Sequence, residues 1–187
     1  MVGRLIYLMG PSGSGKDSLI NAARSDLQCR QVRVVQRVIT RSAEAVGEDA
    51  IGVTPAMFEQ LRQAGTFAMH WLANGLCYGI PAQIDEWLAN GEDVVVNGSR
   101  GYLEEALRRY PDLLPVLVHV QSEVLRQRLV SRGRESLEEI ERRLARNDQF
   151  DSGSQSRGGV VIARLDNSTS LEDAVQRLLQ LFVRVEV

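Results

Sequence analysis

The stretch Gly10-Pro11-Ser12-Gly13-Ser14-Gly15-Lys16-Asp17 brings together glycines, small hydroxyl residues and one lysine. That combination suits phosphate. Glycines let the backbone curl so that successive N–H groups point at phosphate oxygens, and Lys16 would reach the β- and γ-phosphates of a nucleotide. The chemistry implied is nucleotide binding and phosphoryl transfer with magnesium. One position departs from the usual pattern: where a Ser or Thr hydroxyl would bind the metal stands Asp17, followed by Ser18. Asp17 can replace the hydroxyl as a magnesium ligand. It can also simply cap the helix and favour its positive end, leaving Ser18 to supply the hydroxyl. Lys16 is the only lysine in the chain, every other long cationic side chain being arginine. A compositional drift from lysine to arginine would do this, and so would a site that needs a compact ammonium.

Such a loop works only between a strand and the start of a helix. The apolar run Leu5-Ile6-Tyr7-Leu8-Met9 precedes it, and a helix to about Leu27 is expected after it. Val32 to Ile39 predicts a second strand. Thr54-Pro55 opens a short helix with Phe58 and Leu61 on one face. Short strands over 66–72 and 76–80 flank the hairpin signal Asn74-Gly75. From residue 81 helices and strands alternate: helix 81–89, strand 93–96, helix 100–110, strand 113–120, helix 122–131. A helix from Ser136 to about Phe150 is headed by the Ser136/Glu139 capping box. A loop over 151–159, a strand over 160–165 and a helix from Ser170 to about Val183 complete the chain. This alternation predicts an α/β protein with a parallel sheet covered on both faces.

The 187 residues suit one domain, and the net charge of −2 gives no global attraction to nucleic acid. Cys29 and Cys77 have no metal-type spacing, and no secretory signal precedes them, so a reduced, cytoplasmic protein is expected. No apolar run is long enough to cross a membrane. His70 and His119 do not suggest a metal site; His119 sits inside an apolar strand.

The loop, Thr40-Arg41, Tyr78-Gly79 and the arginines after residue 124 resemble the guanylate-kinase branch of the P-loop kinases along the whole chain. A narrower resemblance, to the ribose 1,5-bisphosphate phosphokinases of phosphonate breakdown, rests on four stretches. They are Gly10 to Ser18 with Asp17, Ile39-Thr40-Arg41, Val96-Asn97-Gly98-Ser99-Arg100, and Leu125 to Glu135. The resemblance implies a three-layer P-loop kinase fold in one domain. Its core would be 1–39, 81–131 and 160–187, with a substrate-binding insert over about 40–80 and a helical lid over about 132–150. It implies that ATP, with Mg2+, phosphorylates ribose 1,5-bisphosphate to 5-phosphoribosyl 1-diphosphate, and that the enzyme is a monomer or homodimer with small-molecule partners only. A guanylate or other nucleotide kinase, and a non-catalytic binding module of the same fold, are the alternatives; such modules usually lack the loop lysine.

Carried over residue by residue, the loop 10–18 binds ATP, and Asn167 lies near adenine. Arg132 and Arg143 fold over the transferring group, with Arg128, Arg134 and Arg146 in reserve. Exposed i,i+4 pairs of Glu138 with Arg142 and Glu139 with Arg143 are the plain alternative for that helix. Arg41 and Tyr78 hold the acceptor phosphate. The guanine-recognising hydroxyl and two carboxylates of guanylate kinases fall at Arg37, at or near His70, and at Asn97. A second phosphate-gripping arginine falls near Glu44, and a further tyrosine near Ile51. The base pocket has thus lost its acids and gained a cation, which suits a second phosphate, held by Arg37 and also, on this reading, by Arg100.

Overall fold

The computed structural model describes residues 2–41, 50–133, 135–152, 156–157 and 160–183. Glu44 and Arg134 lie outside them. Strand β1 (Leu5–Met9) is buried at every position, as its unbroken apolar run requires of a strand covered on both faces. The loop follows, and α1 runs Lys16–Cys29. The larger sheet also contains β2 (Arg33–Val34), β7 (Val94–Asn97), β8 (Leu114–His119) and β11 (Ala163–Asp166), in the order β11-β8-β1-β7-β2. Strands β11 and β8 pair in parallel from Ala163 opposite Val116 to Asp166 opposite His119, and β2 pairs in parallel with β7.

A second, four-stranded sheet has the order β4-β3-β6-β5, from β3 (Arg37–Ile39), β4 (Ala50–Gly52), β5 (Phe67–Ala73) and β6 (Leu76–Pro81). Strands β5 and β6 form the expected hairpin, with Asn74 and Gly75 both at positive φ. Helix α2 (Pro55–Gln63) starts as its sequence predicts: Thr54 Oγ1 accepts from Met57 N–H at 3.2 Å, and Pro55 occupies the first turn. Its Phe58 stacks on Phe67 with centroids 4.8 Å apart. A Cβ on Gly79 would lie 2.6 Å from the Phe67 ring, so β6 needs glycine there.

Three sequence expectations are corrected. The β-branched run 32–39 is not one strand: β2 joins the larger sheet and β3 the smaller. Periodicity records a buried extended backbone but not which neighbour it pairs with. Strand β4 was not expected, because a three-residue strand with a largely exposed surface leaves no apolar signal. The stretch 151–159 is not all loop, since α6 (Leu137–Ser152) extends into it and β9 (Ser156–Arg157) pairs antiparallel with β10 (Val160–Val161).

The remaining helices are α3 (Gln83–Ala89), α4 (Leu103–Arg109) after a 3-10 turn at Arg100–Tyr102, α5 (Ser122–Arg132) and α7 (Leu171–Gln180). Helix α5 ends at Gly133, left-handed with φ 61°. It packs on α6 through Leu125, Leu129, Ile140 and Leu144. The capping box closes reciprocally: Ser136 N–H donates to Glu139 Oε2 at 2.8 Å, and Glu139 N–H to Ser136 Oγ at 3.3 Å. The chain divides into two compact units, Met1–Tyr7 with Arg24–Leu114, and Leu8–Ala23 with Pro115–Val187.

Candidate active site

The phosphate loop belongs to the second unit. Gly13 and Gly15 have φ of 94° and 82°, a backbone that side-chain-bearing residues rarely adopt. A Cβ at Gly10 would lie 2.7 Å from the Val118 carbonyl oxygen, and one at Gly13 would lie 2.9 Å from Leu129. The loop is thus pressed against β8 and α5 and is curled by the residues that occupy it. The first bond of α1 runs from Leu19 N–H to the Gly15 carbonyl at 2.8 Å. The helix ladder therefore does not use the N–H groups of residues 16–18, and the positive end of the helix faces the loop. Lys16 Nζ donates to the carbonyls of Gly10 (2.9 Å) and Pro11 (3.0 Å), so the ammonium lies across the loop's own oxygens. Ser14 is fully buried.

Asn167, only 2% exposed, ties the loop to the end of β11. Its side-chain Nδ2 donates to the Ser14 carbonyl at 2.7 Å, and its N–H donates to the His119 carbonyl at 2.8 Å. Arg128 Nη2 donates to the Asn167 carbonyl at 2.9 Å. The other terminal nitrogen of Arg128, Nη1, is buried without a hydrogen-bond partner among the described residues. It lies 3.7 Å from where a Gly15 Cβ would stand. Burial pulls the Arg128 pKa below its ordinary value. A half-satisfied cation beside a phosphate cradle is a ready anion donor.

Asp17 lies in the first turn of α1, with Ser18 after it. No group of three or more His, Cys, Asp or Glu gathers among the described residues. One carboxylate beside a phosphate cradle fits magnesium, which commonly takes one or two carboxylates and fills its octahedron with water and phosphate oxygens. Arg132 is exposed at the end of α5. Arg143 pairs with Glu135, and Glu139 is engaged by Ser136. Arg142 and Arg146 donate to the carbonyls of Glu138 and Arg142 on their own helix.

The other candidates belong to the first unit. Arg37, 8% exposed, points its guanidinium over the Tyr78 ring at 5.4 Å, with Nη1 3.4 Å from the Asn97 carbonyl. Asn97 is buried at the end of β7, and Arg100 begins the 3-10 turn. Arg41 follows Thr40, whose Oγ1 accepts from Cys77 N–H at 2.8 Å. Pairing places His70 opposite Gly79 and Trp71 opposite Tyr78. Trp71, not the exposed His70, therefore shares a sheet face with Tyr78. Ile51 is exposed on β4.

Sequence reasoning missed Tyr7. Its buried hydroxyl accepts from Ser99 N–H at 2.8 Å and donates to the Ser99 carbonyl at 2.9 Å. A Cβ on Gly98 would lie 2.1 Å from the Tyr7 ring. Tyr7 thus clamps the segment between Asn97 and Arg100. The signal was present as the only hydroxyl in an otherwise apolar strand followed much later by Asn-Gly-Ser, but nothing local links the two.

A parallel-cored α/β sheet with a glycine-curled, lysine-bearing loop opening the first helix defines a P-loop kinase fold of the guanylate-kinase type. A guanylate kinase from Anaplasma phagocytophilum shares that fold, with a TM-score of 0.71 at 17% identity over 97% of this chain and 85% of that one. No family model matches the chain. Ribose 1,5-bisphosphate phosphokinase PhnN of Pseudomonas paraeruginosa (strain DSM 24068 / PA7) is 68% identical over 179 residues, 96% of this chain and 95% of the relative. That of Azotobacter vinelandii (strain DJ / ATCC BAA-1303) is 58% identical over 181 residues, 97% of this chain and 96% of the relative. The chain belongs to the ribose 1,5-bisphosphate phosphokinase PhnN family.

Proposed function

We propose that this protein transfers the γ-phosphoryl group of ATP to the 1-phosphate of ribose 1,5-bisphosphate, giving ADP and 5-phosphoribosyl 1-diphosphate. The observation that carries the reading is the 68% identity to a relative of that name over nearly the whole of both chains. An acceptor phosphate oxygen attacks the γ-phosphorus while the bond to the β–γ bridging oxygen breaks. That nucleophile is already ionised at neutral pH, so no general base is required, and catalysis is positioning plus charge neutralisation. Backbone N–H groups of Ser12 to Lys16 cradle the β-phosphate. Lys16 exchanges its loop carbonyls for phosphate oxygens. Arg128 offers its inward nitrogen, and Arg132 and Arg143 cover the transferring group from a lid over about 132–150. Magnesium, when bound, supplies phosphate charge neutralisation, and Asp17 is the residue we assign to hold it. Arg41 and Tyr78 take the acceptor phosphate, and Arg37 and Arg100 its distal phosphate, beside Asn97. We place the enzyme in the cytoplasm, as a monomer or homodimer acting on small molecules.

The two positions where guanylate kinases carry base-recognising carboxylates fall at or near His70 and at Asn97, neither of them an acid. A carboxylate about 4 Å from a phosphate charge would repel it by roughly 4 kcal/mol at an effective dielectric of about 20, so the replacement of those two carboxylates favours a bisphosphate acceptor. The test is ATP consumption with ribose 1,5-bisphosphate, GMP and other monophosphates. We expect kcat/KM for the bisphosphate to exceed that for GMP by orders of magnitude. Comparable values would overturn the assignment, and no turnover with any acceptor would make the chain a binding module.

A further inference from the structure

Trp71 has no role in the mechanism above, yet it stands in the middle of the acceptor cluster. Strand pairing sets Trp71 and Ile39 each opposite Tyr78, on its two sides. Trp71, Tyr78 and Arg37, two residues before Ile39, therefore share one face of the four-stranded sheet. The Trp71 and Tyr78 rings lie parallel within 6°, centroids 5.6 Å apart. Tyr102, from the 3-10 turn, tilts against Trp71 at 5.5 Å. The row runs Tyr102, Trp71, Tyr78 and ends at the Arg37 guanidinium over the Tyr78 ring. The three aromatics are half-buried, so each keeps part of its surface open.

A flat base inserted between two of these rings would need two contact distances, about 7–8 Å. Neither spacing around Trp71 reaches that, so the row cannot sandwich a purine. With their faces turned toward one another, the rings offer instead a strip of apolar aromatic edges that stops at a cation. A phosphorylated sugar has the matching chemistry, a C–H face beside an anion. We propose that Trp71 is an acceptor-binding residue: its indole edge, beside that of Tyr78, is the apolar wall against which the ribose ring packs, with one phosphate directed to Arg37. This rests on the ribose 1,5-bisphosphate reading of the site.

The chain has two tryptophans, and Trp87 lies on α3 with Arg33 over its ring. The W87F enzyme therefore reports Trp71 emission alone. Titration with ribose 1,5-bisphosphate and with ribose 5-phosphate should give a saturable change, and inorganic phosphate at the same concentrations should not. W71A should raise the acceptor KM on the order of ten-fold with the ATP KM unchanged, as loss of one apolar contact surface predicts, and W71F should recover most of it. The proposal is overturned if W87F turns over ribose 1,5-bisphosphate normally while its emission stays silent, or responds equally to inorganic phosphate. It is also overturned if W71A, or W71F should W71A not fold, moves the two KM values together. Failure of the underlying reading looks different: the unaltered enzyme would then leave ribose 1,5-bisphosphate untouched.

Discussion

Replacing Tyr7 by Phe removes one oxygen from a fully buried ring and tests how the segment after β7 is held. The hydroxyl makes two hydrogen bonds, to Ser99 N–H at 2.8 Å and to the Ser99 carbonyl at 2.9 Å. A net hydrogen bond is worth about 1 kcal/mol, and a partner left unsatisfied away from water costs about 1–3 kcal/mol. The ring against Gly98 is kept, so no cavity term arises. The expected loss is about 3 kcal/mol, or about 6–12 °C in Tm for a chain of this size. The pH dependence supplies a second handle. Burial, the largest influence, pushes the Tyr7 phenol well above its ordinary pKa. Below pH 10 both folded and unfolded chains keep this proton, and its contribution to stability is constant. Above pH 10 the unfolded chain ionises first, so stability falls as pH rises, by up to about 1.4 kcal/mol per pH unit from this group. Y7F lacks that slope. Tyr110, pushed up to about 12 mainly by burial, is present in both proteins and cancels in the difference. Urea unfolding of both proteins between pH 7 and 11 measures these quantities. Steady-state kinetics should show a raised acceptor KM and an unchanged ATP KM, because the clamp holds Asn97 and Arg100. A Y7F protein within about 0.5 kcal/mol of the parent at pH 7 would refute the clamp, and a destabilised one with a normal acceptor KM would refute its link to the site.

Lys16→Ala should fold normally, because the residue stands in the loop and first turn of α1 and not in the apolar core, and should lose on the order of 10²-fold or more in kcat; near-parental kcat in a protein of unchanged Tm would remove the phosphate-loop mechanism. Asp17→Asn should raise the magnesium concentration for half-maximal activity many-fold while stability changes by no more than a helix-end charge is worth, about 0.3–1 kcal/mol. A lowered Tm with unaltered magnesium dependence would make Asp17 a helix cap.

Features whose physics is local in the chain were legible in the residues alone. The curl at Gly13 and Gly15 is a property of those residues, and the strand before them and the helix after them are written in contiguous apolar and helical runs. The cap of α2 at Thr54, the reciprocal box at Ser136 and Glu139, and the Asn74-Gly75 turn are likewise decided within a few residues. Arg37 stood out as a cation where a base-binding hydroxyl was expected, and the fold buries it against Tyr78. Other features were settled only by tertiary packing. Strand pairing decided that Trp71 and not His70 faces Tyr78; with side chains alternating at every residue, a one-place ambiguity in alignment exchanges the faces of the sheet. Sheet assembly split 32–39 between two sheets, since extended β-branched residues satisfy either partner. The Tyr7 clamp joins residues 92 apart, and the Asn167 tie to the phosphate loop spans 153. Hydrogen bonds across such separations depend on where strands and helices stack, and residue types along the chain carry no local record of that.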